Sequence, residues 1–367
     1  PGLPPYFGSC FGRLHPQGLE LVTLNTVGHL ELQYDPHGSV VPTPTPIRNH
    51  LMYTEMLAGR GLIYLRTPEA IENLSGDDPT KGRQIIDEAW EDFLDMTISQ
   101  ALTWASQDIR PEVTPSEVVL AEPYIMGSHS GESGAWVSGP EDLAPSEYFW
   151  GYNKMTTIKG LFAAGDGVGA APHKFSSGSF TEGHLAAKAA VNLLNDNPED
   201  STLNDGQVTS LRDKIWAPLE RFEKYKGAST AEEVNPHYLT PYQGLVRLQK
   251  IMDEYAGGTS AWYTTNKPTL ERGIQLIELL REDLNKLAAR DRHELMRCWE
   301  VIHRTWVGES HMRHLLYREE TRWPGYYYRS DFPDLDDSKW RVFVNSRFDS
   351  ETNEWELFTK PYINLIE

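Results

Sequence analysis

Hydrophobic positions recur at helical spacing in two separate parts of the chain. In residues 82–107 apolar side chains stand three and four positions apart, which predicts an amphipathic helix. Further along, stripes of Leu, Ile and Met alternate with strongly charged faces, which is typical of a packed helical bundle. These stripes predict three long helices at about 208–225, 240–256 and 268–318, the last broken near Asp291.

Shorter apolar runs predict strands and turns elsewhere. Leu62–Leu65 fits a strand, and Gly160–Ala164 fits a short buried strand that ends at a glycine cluster. Ser179 is followed three residues later by Glu182, which indicates a capping box that opens a helix over Leu185–Leu194. The aromatic residues of 319–367 suggest a hairpin. Together these elements predict an α/β plus α fold.

Composition narrows the possible functions mainly by exclusion. The chain has 367 residues and a formal net charge of −19, which argues against a surface that neutralises nucleic-acid phosphates. Cys10 and Cys298 are the only cysteines, too few for an iron–sulfur cluster or a four-cysteine zinc site, and a cytoplasmic location is expected. No apolar run reaches the ~20 residues of a membrane span. The first residue is Pro1, so we expect a processed, trimmed or partial chain.

Candidate chemistry is concentrated in the glycine-rich segment 160–183. A predicted strand ends at Asp166, whose carboxylate suits a pair of ribose hydroxyls. Glycines follow, where the backbone can approach a ligand closely, and polar residues then lead into a helix. The unpaired N–H groups at a helix start suit a phosphate or an electron-rich flavin oxygen. A surface loop with a capped helix is the alternative, but the order of strand, acid, glycines, cation and helix favours a binding site.

Several motifs resemble one enzyme family. Gly-Leu-Phe-Ala-Ala-Gly-Asp at 160–166 resembles the second flavin-contact motif of succinate dehydrogenase/fumarate reductase flavoproteins. The runs from Gly167 to Gly183 and from Arg318 to Tyr328 resemble the alpha subunits of adenylylsulfate (APS) reductases. The match covers about residues 45–367 and lacks the Gly-x-Gly-x-x-Gly turn of the family's N-terminal half, so a C-terminal fragment of a larger subunit is expected.

The resemblance implies an FAD-dependent oxidoreductase that interconverts APS and two electrons with sulfite and AMP. It implies non-covalently bound FAD and a partner beta subunit that carries the iron–sulfur clusters. Glu132 and Ser133 stand where many family members have two cysteines. In this respect the chain resembles members from sulfur-oxidising bacteria, which favours the direction of sulfite oxidation. The alternatives are a fumarate reductase or succinate dehydrogenase-type flavoprotein, and a non-catalytic fragment that only docks an iron–sulfur partner.

The resemblance also implies site residues. Arg48 corresponds to a substrate arginine whose planar fork suits a tetrahedral oxyanion, and His173 corresponds to a catalytic histidine at the flavin face. Lys174 and His129 are weaker candidates for substrate binding. The implied flavin contacts are Asp166, Ser177, Gly178, Ser179 and Phe180.

Other conspicuous residues indicate ordinary structural roles. Three histidines at helical spacing lack the carboxylate partners of a metal site, so no metal is expected: His303, His311 and His314. The charged residues that follow them suggest an ion-pair network: Arg318, Glu319, Glu320 and Arg322. The aromatic run Trp323–Tyr328 favours packing or partner contact over adenine stacking.

The resemblance also implies a division of the chain into five regions. Residues 1–44 are unassigned, and the others are a capping (substrate) domain at 45–122, a return segment of a Rossmann-like FAD-binding domain at 123–204, a helical domain at 205–318 and a C-terminal arm at 319–367.

Overall fold

The computed structural model places most of the chain in two compact units. The described residues are 11–13, 58–59, 63–96, 102, 104–118, 134–169, 175–197, 202–231, 233–322 and 328–363. One unit comprises Pro1–Tyr124 and Thr321–Tyr328, and the other comprises Ile125–Glu320 and Arg329–Glu367.

A small antiparallel sheet and two helices make up most of the described part of the first unit. Strand β2 pairs with β1 on one side and β3 on the other. Pro68 opens helix α1, where its fixed φ suits the first turn, and Gly76 follows the helix at a positive φ. Both helices bury apolar side chains, among them Ile71 and Ile85. The bounds are Phe11–Arg13 (β1), Ile63–Leu65 (β2), Thr67–Ser75 (α1), Pro79–Met96 (α2) and Ser116–Val118 (β3).

Two of the predicted elements lie in this unit. The strand predicted at Leu62–Leu65 is confirmed by β2. The helix predicted over 82–107 starts earlier, at Pro79, and its α2 segment ends at Met96, while residues 104–106 are again helical. Trp104 is buried, and its ring meets that of Trp90 edge to face at 6.3 Å between centroids.

Four long helices dominate the second unit beyond residue 204. The three predicted helices are confirmed, and the expected break lies between Leu284 and Arg292, with Asp291 at its end. Each helix begins at a residue whose side-chain oxygen accepts the backbone N–H three positions later, which satisfies a donor the helix leaves unpaired. These caps are Asn204, Thr240, Asn266 and Asp291. The helices are Asp205–Tyr225 (α4), Pro241–Tyr255 (α5), Lys267–Leu284 (α6) and Arg292–Tyr317 (α7); helix α3 precedes them at Phe175–Asp196.

The core of this bundle lies where α5, α6 and α7 pack together. Fully buried aliphatic side chains fill it, among them Leu270, Ile277 and Met312. Each of these helices also carries a glycine at the contact. A Cβ on Gly273 of α6 would lie 2.6 Å from Met312 Sδ on α7, so close approach of these helices depends on the missing side chain.

A β-hairpin ends the described chain, as predicted for the C-terminal residues. Strands β6 and β7 pair along their whole length, with Asn345 opposite Phe358. The hairpin packs on α7, where the ring centroids of Trp306 and Phe348 lie 4.7 Å apart. The remaining bounds are Thr264–Thr265 (β4), Tyr328–Arg329 (β5), Asp337–Trp340 (α8), Val342–Asp349 (β6) and Glu354–Pro361 (β7).

Two predictions for the glycine-rich segment are wrong. Gly160–Ala164 is not a buried strand: Phe162 forms one isolated bridge with Met155, and half of Leu161 is exposed. Positive φ angles at Gly160 and Gly165 turn the chain at both ends and prevent a longer strand. Helix α3 begins at Phe175, well before Leu185, so Ser179 and Glu182 lie inside the helix and form no capping box.

No helix in the described ranges has the length and apolar character needed to cross a membrane.

Candidate functional site

A tight turn packs directly against helix α3. Residues Gly165–Gly167 form a single 3-10 turn, with Gly165 at φ +63°. A Cβ on Gly165 would lie 3.1 Å from Ser179 Oγ, in a backbone conformation that side-chain-bearing residues rarely adopt. Glycine therefore allows both the turn and its close approach to the helix. The turn therefore lies against α3 at Ser179, about one helical turn beyond the start of the helix at Phe175.

Glu182 joins this turn to the helix. Its Oε2 accepts the backbone N–H of Gly165 at 2.7 Å, and its Oε1 accepts a hydrogen bond from Lys154 Nζ at 3.0 Å. The side chains of Glu182 and Lys154 are both largely buried. The sequence pattern assigned Glu182 to a capping box with Ser179, but the carboxylate turns away from its own helix to the Gly165 N–H.

Two glycines allow the backbone to cross beside the turn. Ala135 donates its N–H to Gly167 O at 2.7 Å and accepts the N–H of Gly169 at 3.0 Å, around a parallel bridge to Val168. A Cβ on Gly134 would lie 2.6 Å from Gly169 N, which excludes any larger residue there. The crossing therefore holds Gly134 and Ala135 against Val168 and Gly169, directly after the Gly165–Gly167 turn.

The predicted site residues fall into two groups. Arg48, His129, His173 and Lys174 lie outside the described residues. Asp166 lies in the 3-10 turn and Ser177 in the first turn of helix α3; the structure describes only the backbone of these two residues. Gly178 and Ser179 are partly buried in α3, and Phe180 is 81% exposed. Their roles toward a flavin stay predictions.

The histidines and charges of α7 have structural partners. Nε2 of His314 lies 2.9 Å from Ser346 Oγ, and the ring of His303 packs near Trp299. In the described ranges no group of three His, Cys, Asp or Glu side chains could hold a metal ion. The predicted ion-pair network is confirmed at Arg318, which pairs with the fully buried Glu320 at 2.7 Å.

One face of α3 carries an exposed apolar stripe. The stripe consists of four exposed residues, separated by seven, four and three positions: Phe180, Ala187, Val191 and Leu194. Three of them have large apolar side chains. This spacing places them on one side of the helix, opposite the buried Ala189 and Leu193.

Comparisons with known proteins find similarity to flavoproteins and to adenylylsulfate reductases. Residues 246–364 match the family described as the fumarate reductase flavoprotein C-terminus. The adenylylsulfate reductase subunit alpha of Megalodesulfovibrio gigas is 46% identical over 331 residues, 88% of this chain and 50% of the relative. This chain thus spans about half the length of that curated relative.

Solved structures agree with these sequence matches. Adenylylsulfate reductase from Archaeoglobus fulgidus superposes with a TM-score of 0.86 at 51% identity, over 98% of this chain and 60% of that one. A structure of adenosine-5-phosphosulfate reductase in complex with sulfite, as a covalent adduct, gives the same values. Quinol fumarate reductase from E. coli matches with a TM-score of 0.58 at 16% identity, which supports a common fold only.

Proposed function

Because this chain is similar to adenylylsulfate reductase alpha subunits over nearly its whole length, we propose that it is part of such a subunit. The complete protein would be an FAD-dependent oxidoreductase that interconverts APS and two electrons with sulfite and AMP. The observation that carries the proposal is the 51% identity and TM-score of 0.86 over 98% of the chain to the enzyme structure with sulfite. The chain spans 60% of that enzyme, so the activity belongs to the longer protein.

The described turn and helix fit a flavin. Gly165 lets the turn pack against α3 at Ser179, the fifth residue of the helix, and Asp166 is the next residue of that turn. Asp166 would hold ribose hydroxyls, and the free N–H groups of the first turn of α3, up to Ser177, would face electron-rich oxygens of the cofactor, with Gly178 allowing close approach. Ser179 and Phe180 complete the proposed contacts. FAD supplies the two-electron chemistry that amino-acid side chains lack.

Four further residues carry the proposed substrate chemistry. The guanidinium of Arg48 would bind the sulfate or sulfite end, since its planar fork suits an oxyanion. His173 would stabilise negative charge on departing sulfite or AMP as an imidazolium, or transfer a proton as an imidazole. Lys174 and His129 would add positive potential and hydrogen bonds.

The proposed architecture combines a capping domain (45–122), a return segment of a Rossmann-like FAD domain (123–204), a helical domain (205–318) and a C-terminal arm (319–367). The exposed apolar stripe on α3 supports a further part of the FAD domain packing there, because isolated soluble units rarely expose contiguous apolar surface. An iron–sulfur beta subunit would exchange electrons with the flavin, in the cytoplasm.

The test uses the full gene product, purified together with its iron–sulfur partner. We expect a flavin spectrum whose main visible band bleaches on addition of sulfite, and electron transfer that depends on AMP. Protein that holds FAD, ignores sulfite and reduces fumarate would overturn the substrate assignment. Protein that holds no flavin would overturn the cofactor assignment as well.

A variant pair then tests the proposed role of His173. H173Q should lower turnover by about 10² to 10⁴-fold, the usual contribution of a positioned acid or base, while FAD stays bound. H293Q is the matched control, since His293 lies exposed at the start of α7 and should leave turnover unchanged. Equal turnover in both variants would contradict the role of His173.

A further inference from the structure

We infer that Glu182 is a positioning residue that holds the Gly165–Gly167 turn, and with it Asp166, against helix α3. The inference rests on the proposed function, because it concerns the two features assigned to FAD. It starts from one contact: the carboxylate of Glu182 spans from α3 to the Gly165 N–H at 2.7 Å.

The backbone N–H of Gly165 requires a hydrogen-bond acceptor within the protein. Gly165 is buried, and a buried backbone N–H without a partner destabilises the fold. Glu182 supplies the acceptor from inside α3, beyond the first turn of the helix that begins at Phe175. A hydrogen bond to a carboxylate is stronger than one to a neutral oxygen, so the turn is firmly fixed to the helix.

Lys154 completes the arrangement from a third segment. Its ammonium reaches Glu182 at 3.0 Å, which compensates the charge of a largely buried carboxylate. Lys154 itself has φ +66°, unusual for a long side chain, and its backbone is fixed by hydrogen bonds to Ser138 O and from Ala163 N. Strain of this kind persists where the surroundings require it and is concentrated at functional sites.

The two oxygens of Glu182 therefore have separate roles. One oxygen sets the position of Gly165, the residue before Asp166, and the other is neutralised by Lys154. A neutral glutamine keeps an acceptor for the Gly165 N–H, whereas alanine removes it. This difference separates positioning of the turn from simple loss of an ion pair.

The experiment measures FAD binding to the full-length subunit with its iron–sulfur partner, after removal and readdition of FAD. E182A should weaken FAD binding by about 10 to 100-fold, the range expected for one lost charge-assisted hydrogen bond. E182Q should restore most of the affinity and the wild-type visible circular dichroism of the bound flavin. E220A, at an exposed glutamate of α4, is the matched control and should bind FAD like the wild type.

The outcomes are distinct. Wild-type affinity and dichroism in E182A would overturn the inference. So would an E182Q as weak as E182A, because the ion pair rather than the acceptor would then dominate. Thermal unfolding of the FAD-free protein shows whether E182A still folds, and K154M then reports the ion pair separately: it should weaken FAD binding less than E182A does. Wild-type protein that binds no FAD would overturn the proposed function itself.

Discussion

The buried carboxylate of Glu309 accepts a hydrogen bond from Arg313 Nε at 2.7 Å, one helical turn away on α7. Its other oxygen pairs with Arg281 of α6 at 2.5 Å, and Glu309 is only 2% exposed. The Arg281 guanidinium in turn lies 3.6 Å from the centroid of the Trp306 ring. An ion pair therefore links α6 to α7 on the buried face of α7, where apolar side chains are the usual occupants.

Removal of this carboxylate should destabilise the helical bundle strongly. E309A leaves two arginines without their shared partner, and breaking a buried pair from one side costs about 3 to 5 kcal/mol. E356A is the matched control, because Glu356 pairs with Arg347 on the exposed hairpin and should contribute about 1 kcal/mol or less. Denaturant unfolding followed by circular dichroism checks both. Similar small losses in the two variants would contradict the buried-pair account.

The bundle should lose stability as pH falls from about 6.5 toward 4. Burial lowers the pKa of His311 to about 4, and the charge of His314 adds to this effect. Burial, and then Arg318, also lower the pKa of His314 below its usual range. Above pH 6.5 both histidines are neutral in the folded and in the unfolded chain. Below pH 6.5 these histidines bind protons in the unfolded chain but stay neutral in the folded chain. Unfolding therefore becomes more favourable as the pH falls to about 4.

Unfolding midpoints measured from pH 7.5 to 4.5 test this dependence. H311Q should flatten the slope, since the substituted side chain takes up no proton in either state. H293Q, at an exposed position, should keep the wild-type slope. An unchanged slope in H311Q would show that His311 does not control the acid response.

An alanine at Gly273 should destabilise the packing of α6 on its neighbours. The added Cβ would lie 2.6 Å from Met312 Sδ and 2.8 Å from Tyr255 Cβ, contacts that force a shift of one element. Overpacking of this kind costs about 1 to 3 kcal/mol, against which the better helix propensity of alanine returns about 1 kcal/mol. Thermal unfolding measures the net effect. G183A in α3, where the new Cβ meets no neighbour within 4 Å, should instead be neutral or stabilising.

Cys298 should be unreactive in the folded chain. The thiol is fully buried, donates to Ala288 O at 3.6 Å, and has its pKa raised to about 12 by burial and by Glu294. Almost no thiolate, the reactive form, is present at pH 8. In a C10S variant, we expect alkylation by iodoacetamide only in denaturant. Rapid labelling under native conditions would contradict the buried position.

The sequence by itself determined the helices of the bundle. Their apolar stripes recur every three or four residues, and caps such as Asp291 act on the N–H of a residue three positions away. These signals are local, so they are readable without neighbours in space. The resemblance to APS reductases was likewise carried by contiguous motifs, and the comparisons confirm it.

The tertiary structure alone decided which distant groups meet. Glu182 follows Ser179 at capping-box spacing, yet its carboxylate pairs with Gly165 and Lys154, because α3 begins earlier and the turn needs an acceptor. The helical spacing places Glu309 on the buried face of α7, but its partner Arg281 comes from another helix and cannot be read from that spacing. Hydrogen bonds and charge compensation across the chain depend on three-dimensional position, which residue spacing along one segment does not encode.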